Sequence, residues 1–456
     1  MRVVIIGCSK VGEALTRIMC DEGHDVVVVD TDSEKIEYIT EKYDCNGFVG
    51  NGGSPIILSK AGIDSASLLI AVTKYDETNI LCCDVAKKLD VKLTIAAIRT
   101  PDYKQESRFL REQMGVDVIV NPEKLAAREV NKLIRYPENI VIERFGDGNV
   151  NVATVEVKPG SILSDIKMDS LRNQISAKIL VCAIERGNKI ITPKGDTVIK
   201  ANDKITVCAV GEELDTFLSQ IGIIEKIIKK IVIIGGSKIS YYLTDIMLAN
   251  GVKVKLVDSD EEKCRELLEK FPKAEVICGD GTDSQFLEKT LAGVDACVAA
   301  TGDDEENLII SLFAKSFGIS RISAKIDNRN YVKMLKTSGI NHIFSTQDVA
   351  VSGVVRNSRA VSVDDALLRG NSIKWMYKLN DGKVEAVEFE VNDNFKCKGM
   401  ALMDKEFTIK PGVLIAVIIR NHEAFVPGGA STIEVGDRII VISSEKKLSD
   451  IQDILA

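Results

Sequence analysis

The chain has 456 residues, 45% hydrophobic and 28% charged, enough for several domains with sizeable cores. A formal net charge of −8 argues against a nucleic-acid surface, which needs a clustered basic face. No apolar run approaches the ~20 residues that span a bilayer. The N-terminus opens into a strand with no basic, cleavable leader, so a soluble cytoplasmic protein is expected.

Short β-branched runs alternate with helical patterns over the first ~135 residues, the signature of a parallel sheet with crossover helices. Strands are predicted at Val3–Ile6, Val26–Asp30, Gly47–Val49, Leu68–Val72, Leu93–Ile98 and Val118–Val120. Helices are predicted between them at Gly12–Glu22, Ser33–Lys42, Ser54–Ala61, Thr78–Leu89 and Tyr103–Met114. The next ~90 residues read as strands with little helix. The pattern then starts again. Gly7 recurs as Gly235, 228 positions on (235 less 7), and Asp30 as Asp258 and Tyr103 as Tyr331 keep that offset. So does "AVTKYDETN" (Ala71–Asn79), which returns as "AATGDDEEN" (Ala299–Asn307), while "GNGG" at Gly50 returns as "GDGT" at Gly279 one residue out of step. A tandem duplication is the plain reading. The strand-rich parts repeat too: "TPKGDTVIKANDKITVCA" (Thr192–Ala209) answers "VPGGASTIEVGDRIIVIS" (Val426–Ser443), with Asn-Asp or Gly-Asp closing a hairpin before a buried strand. The expected fold class is α/β, with two Rossmann-like parallel-sheet N-lobes each followed by a small, strand-rich α+β C-lobe. The lobe limits are 1–135, 136–223, 224–357 and 358–456. Between the halves lies a mixed-charge connector, "IEKIIKK" (Ile224–Lys230).

Eleven cysteines suggest no disulfide framework. Cys8, Cys182, Cys208, Cys278 and Cys297 lie in apolar strand-like runs, where a thiol packs as a small hydrophobe. Cys82 and Cys83 are adjacent, no C-x-x-C occurs, and His24, His342 and His422 are scattered, so no metal site is expected.

The first strand enters "VVIIGCSKVG" (Val3–Gly12), close to a Gly-x-Gly-x-x-Gly dinucleotide turn with Ser9 at the middle glycine. Such a turn brings backbone N–H groups and a helix N-terminus to a pyrophosphate. Gly7 serves the turn, Gly12 serves helix–strand packing, and the Ser9 hydroxyl is small enough to leave the phosphate near. Asp30 ends the second strand about 20 residues on, where a carboxylate accepts from an adenosine ribose and repels a 2′-phosphate. Helix capping is the other use for that acid, but Asp32 or Ser33 can cap. The loop after the fourth strand brings Thr73 and Lys74 to the ligand edge, while Asp76, Glu77 and Thr78 read as the start of a helix. The second copy, "VIIGGSKIS" (Val232–Ser240), gains Gly236, keeps Asp258, Thr301 and Gly302, and has Ser240 for the last glycine. No P-loop occurs, and the C-lobes offer only His422 as a histidine, which points to sensing rather than turnover.

The ordered set "IIGCSKVGEAL", "VVVVDTD", "AGIDSASLLIAVTKYDETN" and "IRTPDY", followed by the C-lobe hairpin and then all of it again, resembles the RCK (KTN) family of potassium-conductance regulators over essentially the whole chain. The resemblance implies a peripheral regulatory subunit on the inner face of the cell membrane, beneath a membrane-embedded Trk-type potassium channel subunit. It implies self-association into a ring, a tetramer of two-repeat chains, and no nucleic acid partner. NAD (NADH or NAD+) or the adenine nucleotides ADP and ATP would be its regulatory ligands. By matching positions, the first site would use Gly7, Cys8, Ser9, Lys10, Val11, Gly12, Asp30, Thr31, Asn51, Thr73, Lys74 and Arg99. The second would use Gly235, Gly236, Ser237, Lys238, Ile239, Asp258, Ser259, Asp280, Thr301, Gly302 and Lys325. The family's Ala-Arg-x-Arg strand keeps here only Arg99 in Ala96–Arg99, and the second copy sets Lys325 opposite Ala97 and Asp327 opposite Arg99. Sites of different charge preference are therefore expected. Some relatives bind a small regulator such as a cyclic dinucleotide in their C-lobes; no residue here identifies such contacts. Two rival readings stand: a regulator of another carrier, such as an antiporter, and an NAD-dependent oxidoreductase.

Overall fold

The run Arg2-Val-Val-Ile-Ile forms strand β1 (Arg2–Ile6), with Val3 and Ile5 in one apolar layer and Val4 and Ile6 in the other. A strand covered on both faces needs such an unbroken apolar run, and a parallel sheet supplies the cover. In the computed structural model, which describes residues 1–100, 103, 107–136, 140–145, 149–187, 189–224, 228–362, 373–379, 384–421, 423–444, 448 and 450–456, five more strands join it. The first lobe continues with α1 (Lys10–Asp21), β2 (Asp25–Asp30), α2 (Ser33–Lys42), β3 (Asn46–Val49), α3 (Pro55–Lys60), β4 (Leu68–Ala71) and α4 (Asp76–Lys88). It closes with β5 (Leu93–Ala97), α5 (Ser107–Gln113), β6 (Val118–Val120) and α6 (Pro122–Arg135). The strands are parallel in the order 3-2-1-4-5-6, so the order in which the chain adds strands reverses at β1 and β4 and opens a crevice at their carboxyl ends.

The first C-lobe follows as β7 (Val141–Phe145), β8 (Val150–Glu156), α7 (Met168–Gln174), β9 (Ile179–Arg186), β10 (Lys189–Ile191), β11 (Lys204–Val210) and α8 (Glu213–Gln220). The second N-lobe has β12 (Lys230–Ile234), α9 (Lys238–Ala249), β13 (Lys253–Asp258), α10 (Glu261–Lys270), β14 (Glu275–Cys278) and α11 (Ser284–Leu291). Then come β15 (Ala296–Ala299), α12 (Asp304–Ser316), β16 (Arg321–Lys325), α13 (Arg329–Thr337), β17 (His342–Phe344) and α14 (Thr346–Ser362). Its sheet order, 14-13-12-15-16-17, repeats that of the first lobe. The second C-lobe has β18 (Ile373–Leu379), β19 (Val384–Glu390), β20 (Val413–Arg420), β21 (Glu423–Phe425) and β22 (Arg438–Ser443). Its sheet, 18-19-22-20-21, is the first C-lobe's 10-9-11-8-7 read from the other edge.

Contacts group Met1–Arg135 with Ile228–Ser362, and Tyr136–Ile227 with Val363–Ala456. In the first unit the two N-lobes exchange helices. Ala126, Ala127, Val130 and Ile134 of α6 join the core of the second sheet, while Val351, Val354 and Val355 of α14 join the core of the first. Asn121 donates to the Tyr242 hydroxyl at 3.0 Å, which fixes the entry of α6. In the second unit the two C-lobes share a core in which Phe145, Val150 and Cys208 meet Ala416, Val417 and Ile442.

Several expectations shift. Helix α1 begins at Lys10, not Gly12, because extended Ser9 takes the N-cap. Helix α4 begins at Asp76, as the reading of Asp76, Glu77 and Thr78 as a helix start has it and ahead of the predicted span from Thr78, and the Asp76 carboxylate accepts the N–H groups of Arg99 and Thr100. The first C-lobe holds two short helices where little helix was expected, and Lys230 opens β12 rather than closing a connector. Cys278 ends a strand but is exposed, and Cys8 lies in the turn after β1. Pro101, Asp102 and His422 lie outside the described residues.

Each C-lobe hairpin is closed by a buried ion pair. Asn202 (φ +67°) and Gly436 (φ +88°) turn the chain so that Asp203 and Asp437, each 1% exposed, point inward. Asp203 accepts two hydrogen bonds from Arg186, at 2.9 and 2.7 Å, and one from the Lys200 N–H; Asp437 takes the same from Arg420 and Glu434. Burial pushes the Asp203 carboxyl up, but the Arg186 hydrogen bonds and the Lys200 N–H outweigh it and hold the group below the usual range. Because the folded value is depressed, the pair's stabilisation is present above the ordinary carboxylate range and fades as pH falls through it, below about pH 4. Asp203→Ala is expected to cost about 2–3 kcal/mol in urea unfolding at pH 7, discounted from a fully buried pair because Arg186 is partly exposed. The difference from wild type should shrink on acidification towards about pH 3.

Candidate nucleotide site

The crevice is built on Gly7. Its φ of +102° is open to glycine, and its N–H donates to the Val29 carbonyl at 2.9 Å, tying the turn to β2. The next N–H, of Cys8, donates to Asp30 Oδ2 at 2.6 Å, while Asp30 Oδ1 accepts the Asp32 N–H at 3.0 Å. One carboxylate therefore joins the β1–α1 turn to the β2–α2 turn. Capping of α2 falls to Asp32, which accepts from Glu34 and Lys35. Ser9 is exposed at the N-cap of α1 and its hydroxyl makes no capping bond, so the first-turn N–H groups and the positive end of the helix face outward beside Lys10. Val11 is half-buried. A Cβ at Gly12 would collide with the Gly7 carbonyl oxygen, which explains the last glycine. Burial, then the nearby Asp30 charge, pushes the Cys8 thiol up to about 12, leaving it a neutral packing group.

The facing wall is the loop after β4. Asn79, fully buried, accepts the Thr73 N–H (2.9 Å) and hydroxyl (2.7 Å) and donates to the carbonyls of Thr73 and Ala97. Arg99 donates to the same Thr73 carbonyl at 2.9 Å and lies 3.7 Å from Glu123. Lys74 is exposed, its Nζ 4.7 Å from the Tyr75 ring centre. Thr31 and Asn51 are exposed on the neighbouring loops; Asn51 accepts the Gly53 N–H, and the Gly50 N–H returns to the Asp30 carbonyl. The structure thus gathers the first set of candidate residues at the carboxyl edge of one sheet.

The second copy builds the same edge. Gly235 (φ +101°) donates to Val257, Gly236 donates to Asp258 Oδ2 at 2.5 Å, and Asp258 Oδ1 accepts Asp260 at 2.8 Å. Ser237 stands at the position of Ser9, so both copies replace the middle glycine with serine; here the hydroxyl does cap, accepting the Ser240 N–H. Ser240 spends its own hydroxyl on the Gly235 carbonyl. Lys238 is exposed and Ile239 is buried. Ser259 and Asp280 are exposed, and hydrogen bonds from the Thr282 side chain and N–H hold the Asp280 carboxyl below its usual range. Asn307 accepts the Thr301 N–H and reaches the carbonyls of Thr301 and Lys325. Gly302 faces open space.

The cations of the two copies make matching contacts. Lys325 Nζ donates to the Thr301 carbonyl at 3.3 Å, the contact that Arg99 makes to Thr73 in the first copy. The cation has moved along the strand and still reaches the equivalent atom. Asp327 is turned aside, accepting the Ser345 hydroxyl at 2.6 Å. The residues missed from sequence are Asn79 and Asn307. Both end the twin loop motif, and recurrence at the same offset was the available signal, but helix membership hid their role.

Two parallel-sheet lobes, each with a carboxylate-closed glycine turn at a helix N-terminus and each followed by an antiparallel C-lobe, define a duplicated Rossmann-like protein. The TrkA-N domain family matches residues 3–122 and 231–346, and the TrkA-C domain family matches 152–222 and 386–456. The chain belongs to the TrkA family. It is 30% identical over 457 residues to a protein of Archaeoglobus fulgidus named Trk system potassium uptake protein TrkA homolog, with all of both chains covered. It is 28% identical over 455 residues to the Haemophilus influenzae protein named Trk system potassium uptake protein TrkA, covering 98% of this chain and 96% of that one. Among solved structures, the GsuK channel bound to NAD shares the fold with a TM-score of 0.59 at 17% identity, over 97% of this chain and 77% of that one. No helix among the described residues is long and apolar enough to cross a membrane.

Asn79→Ala removes the acceptor of the Thr73 N–H and hydroxyl and a donor to the Thr73 and Ala97 carbonyls, the first of which Arg99 still reaches. Its expected cost is about 2–3 kcal/mol in urea unfolding, with faster amide exchange over 73–79.

Proposed function

We propose that the chain is the nucleotide-binding regulatory subunit of a potassium uptake system, with adenine nucleotides, NAD(H) foremost, seated in the crevices. The observation that carries the reading is the pair of carboxylates, Asp30 and Asp258, each ending a second strand and holding the glycine turn open at a helix N-terminus. The turn N–H groups and helix end suit a pyrophosphate, and the free lone pairs of the carboxylate suit a ribose and repel a 2′-phosphate. The names of the full-length relatives support the transport system, and the NAD bound by the GsuK channel supports the ligand class.

The proposed sites are the two residue sets named above, with Asn79 and Asn307 as positioning residues. The proposed lobes are 1–135, 136–223, 224–357 and 358–456. Binding without turnover is sufficient for the role. A nucleotide that favours one ring shape tenfold biases the equilibrium by about 1.4 kcal/mol, and equal binding shifts nothing. The partner is a membrane-embedded Trk-type potassium channel subunit, met at the inner face of the membrane. Exposed Leu81 on α4, Ile309 and Leu312 on α12 and Met334 on α13 support assembly of further copies into a ring.

Differential scanning fluorimetry with NAD+, NADH, ADP, ATP and AMP tests the reading. At least one nucleotide should raise the melting temperature of the wild type, and Asp30→Ala should weaken the half-saturating concentration about tenfold, the worth of one charge-assisted hydrogen bond. No shift with any nucleotide would contradict it. Robust redox turnover with a candidate substrate would favour an oxidoreductase instead.

A further inference from the structure

Beside the second turn stand two thiols where the first has hydrocarbon. Cys264 is 8% exposed in α10, and Cys278 is exposed at the end of β14, paired in register with Asp258. Cys264 Sγ donates to the Asp258 carbonyl at 3.4 Å, and Cys278 Sγ donates to the Ser259 carbonyl at 3.8 Å. Both thiols thus hang on consecutive carbonyls of one turn. In the first lobe the equivalent positions hold Ile36 in α2 and Val49, which pairs with Asp30 in the same register. The scaffold is duplicated and the dithiol is not.

We propose that Cys264 and Cys278 form a peroxide-oxidisable dithiol that closes to a disulfide across the β13–α10 turn of the second lobe. The order of events follows exposure. Cys278, accessible to solvent, attacks the O–O bond of hydrogen peroxide as its thiolate; one oxygen stays on sulfur as a sulfenic acid and the other leaves as water. Cys264 then attacks that sulfur, the S–S bond forms, and the displaced hydroxide takes the Cys264 proton as a second water. Two thiols and one peroxide give one disulfide and two waters. Burial and the neighbouring Cys278 push the Cys264 thiol up to about 11, so the exposed Cys278 initiates and Cys264 follows by an attack within the same chain. Cys182 and Cys208, by contrast, are buried at 2% and 0% exposure in the C-lobe core, out of reach of peroxide.

Closure would tie the first turn of α10 to the last residue of β14. The ring so closed holds α10 and lies against the carbonyls of Asp258, which holds Gly236, and Ser259, and the tied strand end leads into Gly279 and Asp280. A reversible covalent lock on the second crevice follows, at positions where the first lobe has Ile36 and Val49.

The test is mass spectrometry of the full chain, reduced, freed of thiol reagent and treated with near-stoichiometric hydrogen peroxide. The expected result is a loss of about 2 Da, the two thiol hydrogens, mapped to a peptide joining Cys264 to Cys278, with slowed amide exchange over 258–264. The exposed substitution Cys278→Ser should abolish the mass loss. Cys264→Ser should leave a sulfenic acid at position 278 that dimedone traps and that the wild type resolves. An unchanged wild-type mass, equal dimedone trapping at Cys278 in wild type and C264S, or a disulfide between other cysteines forming first, would overturn the proposal.

Discussion

A single carboxylate in each N-lobe sets the shape of everything at the ligand edge. Asp30 and Asp258 each take a turn N–H on one oxygen and the N–H two residues along the chain on the other. A glycine at φ near +100° can leave the strand in many directions, and the carboxylate selects one of them. That direction starts the next helix with its positive end facing the crevice. Charge-assisted hydrogen bonds are about twice as strong as neutral ones, so the clamp is suited to holding a tight turn before any ligand arrives. In the proposed function the same group would accept from a ribose, which would couple the seating of a nucleotide to the geometry of the turn.

The two copies reach this arrangement with different side chains. Where Gly12 lets α1 press against the Gly7 carbonyl, Ser240 puts a hydroxyl on the matching Gly235 carbonyl and turns a steric contact into a hydrogen bond. Where Arg99 holds the loop through the Thr73 carbonyl, Lys325 does so through Thr301 from two residues earlier in the strand. The floor of the crevice is therefore common to both lobes, and the differences gather at the rim. Lys74 and Tyr75 in one copy stand against Gly302 and Asp303 in the other.

The duplicated architecture and both sheets were legible because parallel strands must be apolar on two faces and the same anchors return at one offset. The strands at Val118–Val120 and the helix at Ser33–Lys42 fell where expected for that reason. The helix start at Lys10 falls ahead of the expected Gly12 because its first residues are polar and are set by the Ser9 cap, not by apolar period, whereas the acidic run at Asp76 did mark the start of α4. Asn79 and Asn307 were hidden because a helix residue gives no sign in sequence that its side chain turns back to hold a loop. The shared serine at Ser9 and Ser237 was masked by the more conspicuous loss of glycine at Ser240. The exchange of α6 and α14 between sheets was also out of reach, since their apolar faces state that something covers them and not what.

Counting nucleotides per chain tests the central claim most directly. Native mass spectrometry of the full chain with saturating NADH or ADP should find two nucleotides per chain, one of them lost in Asp30→Ala and the other in Asp258→Ala. A chain that retains none, or that keeps its full complement in both variants, would contradict the account.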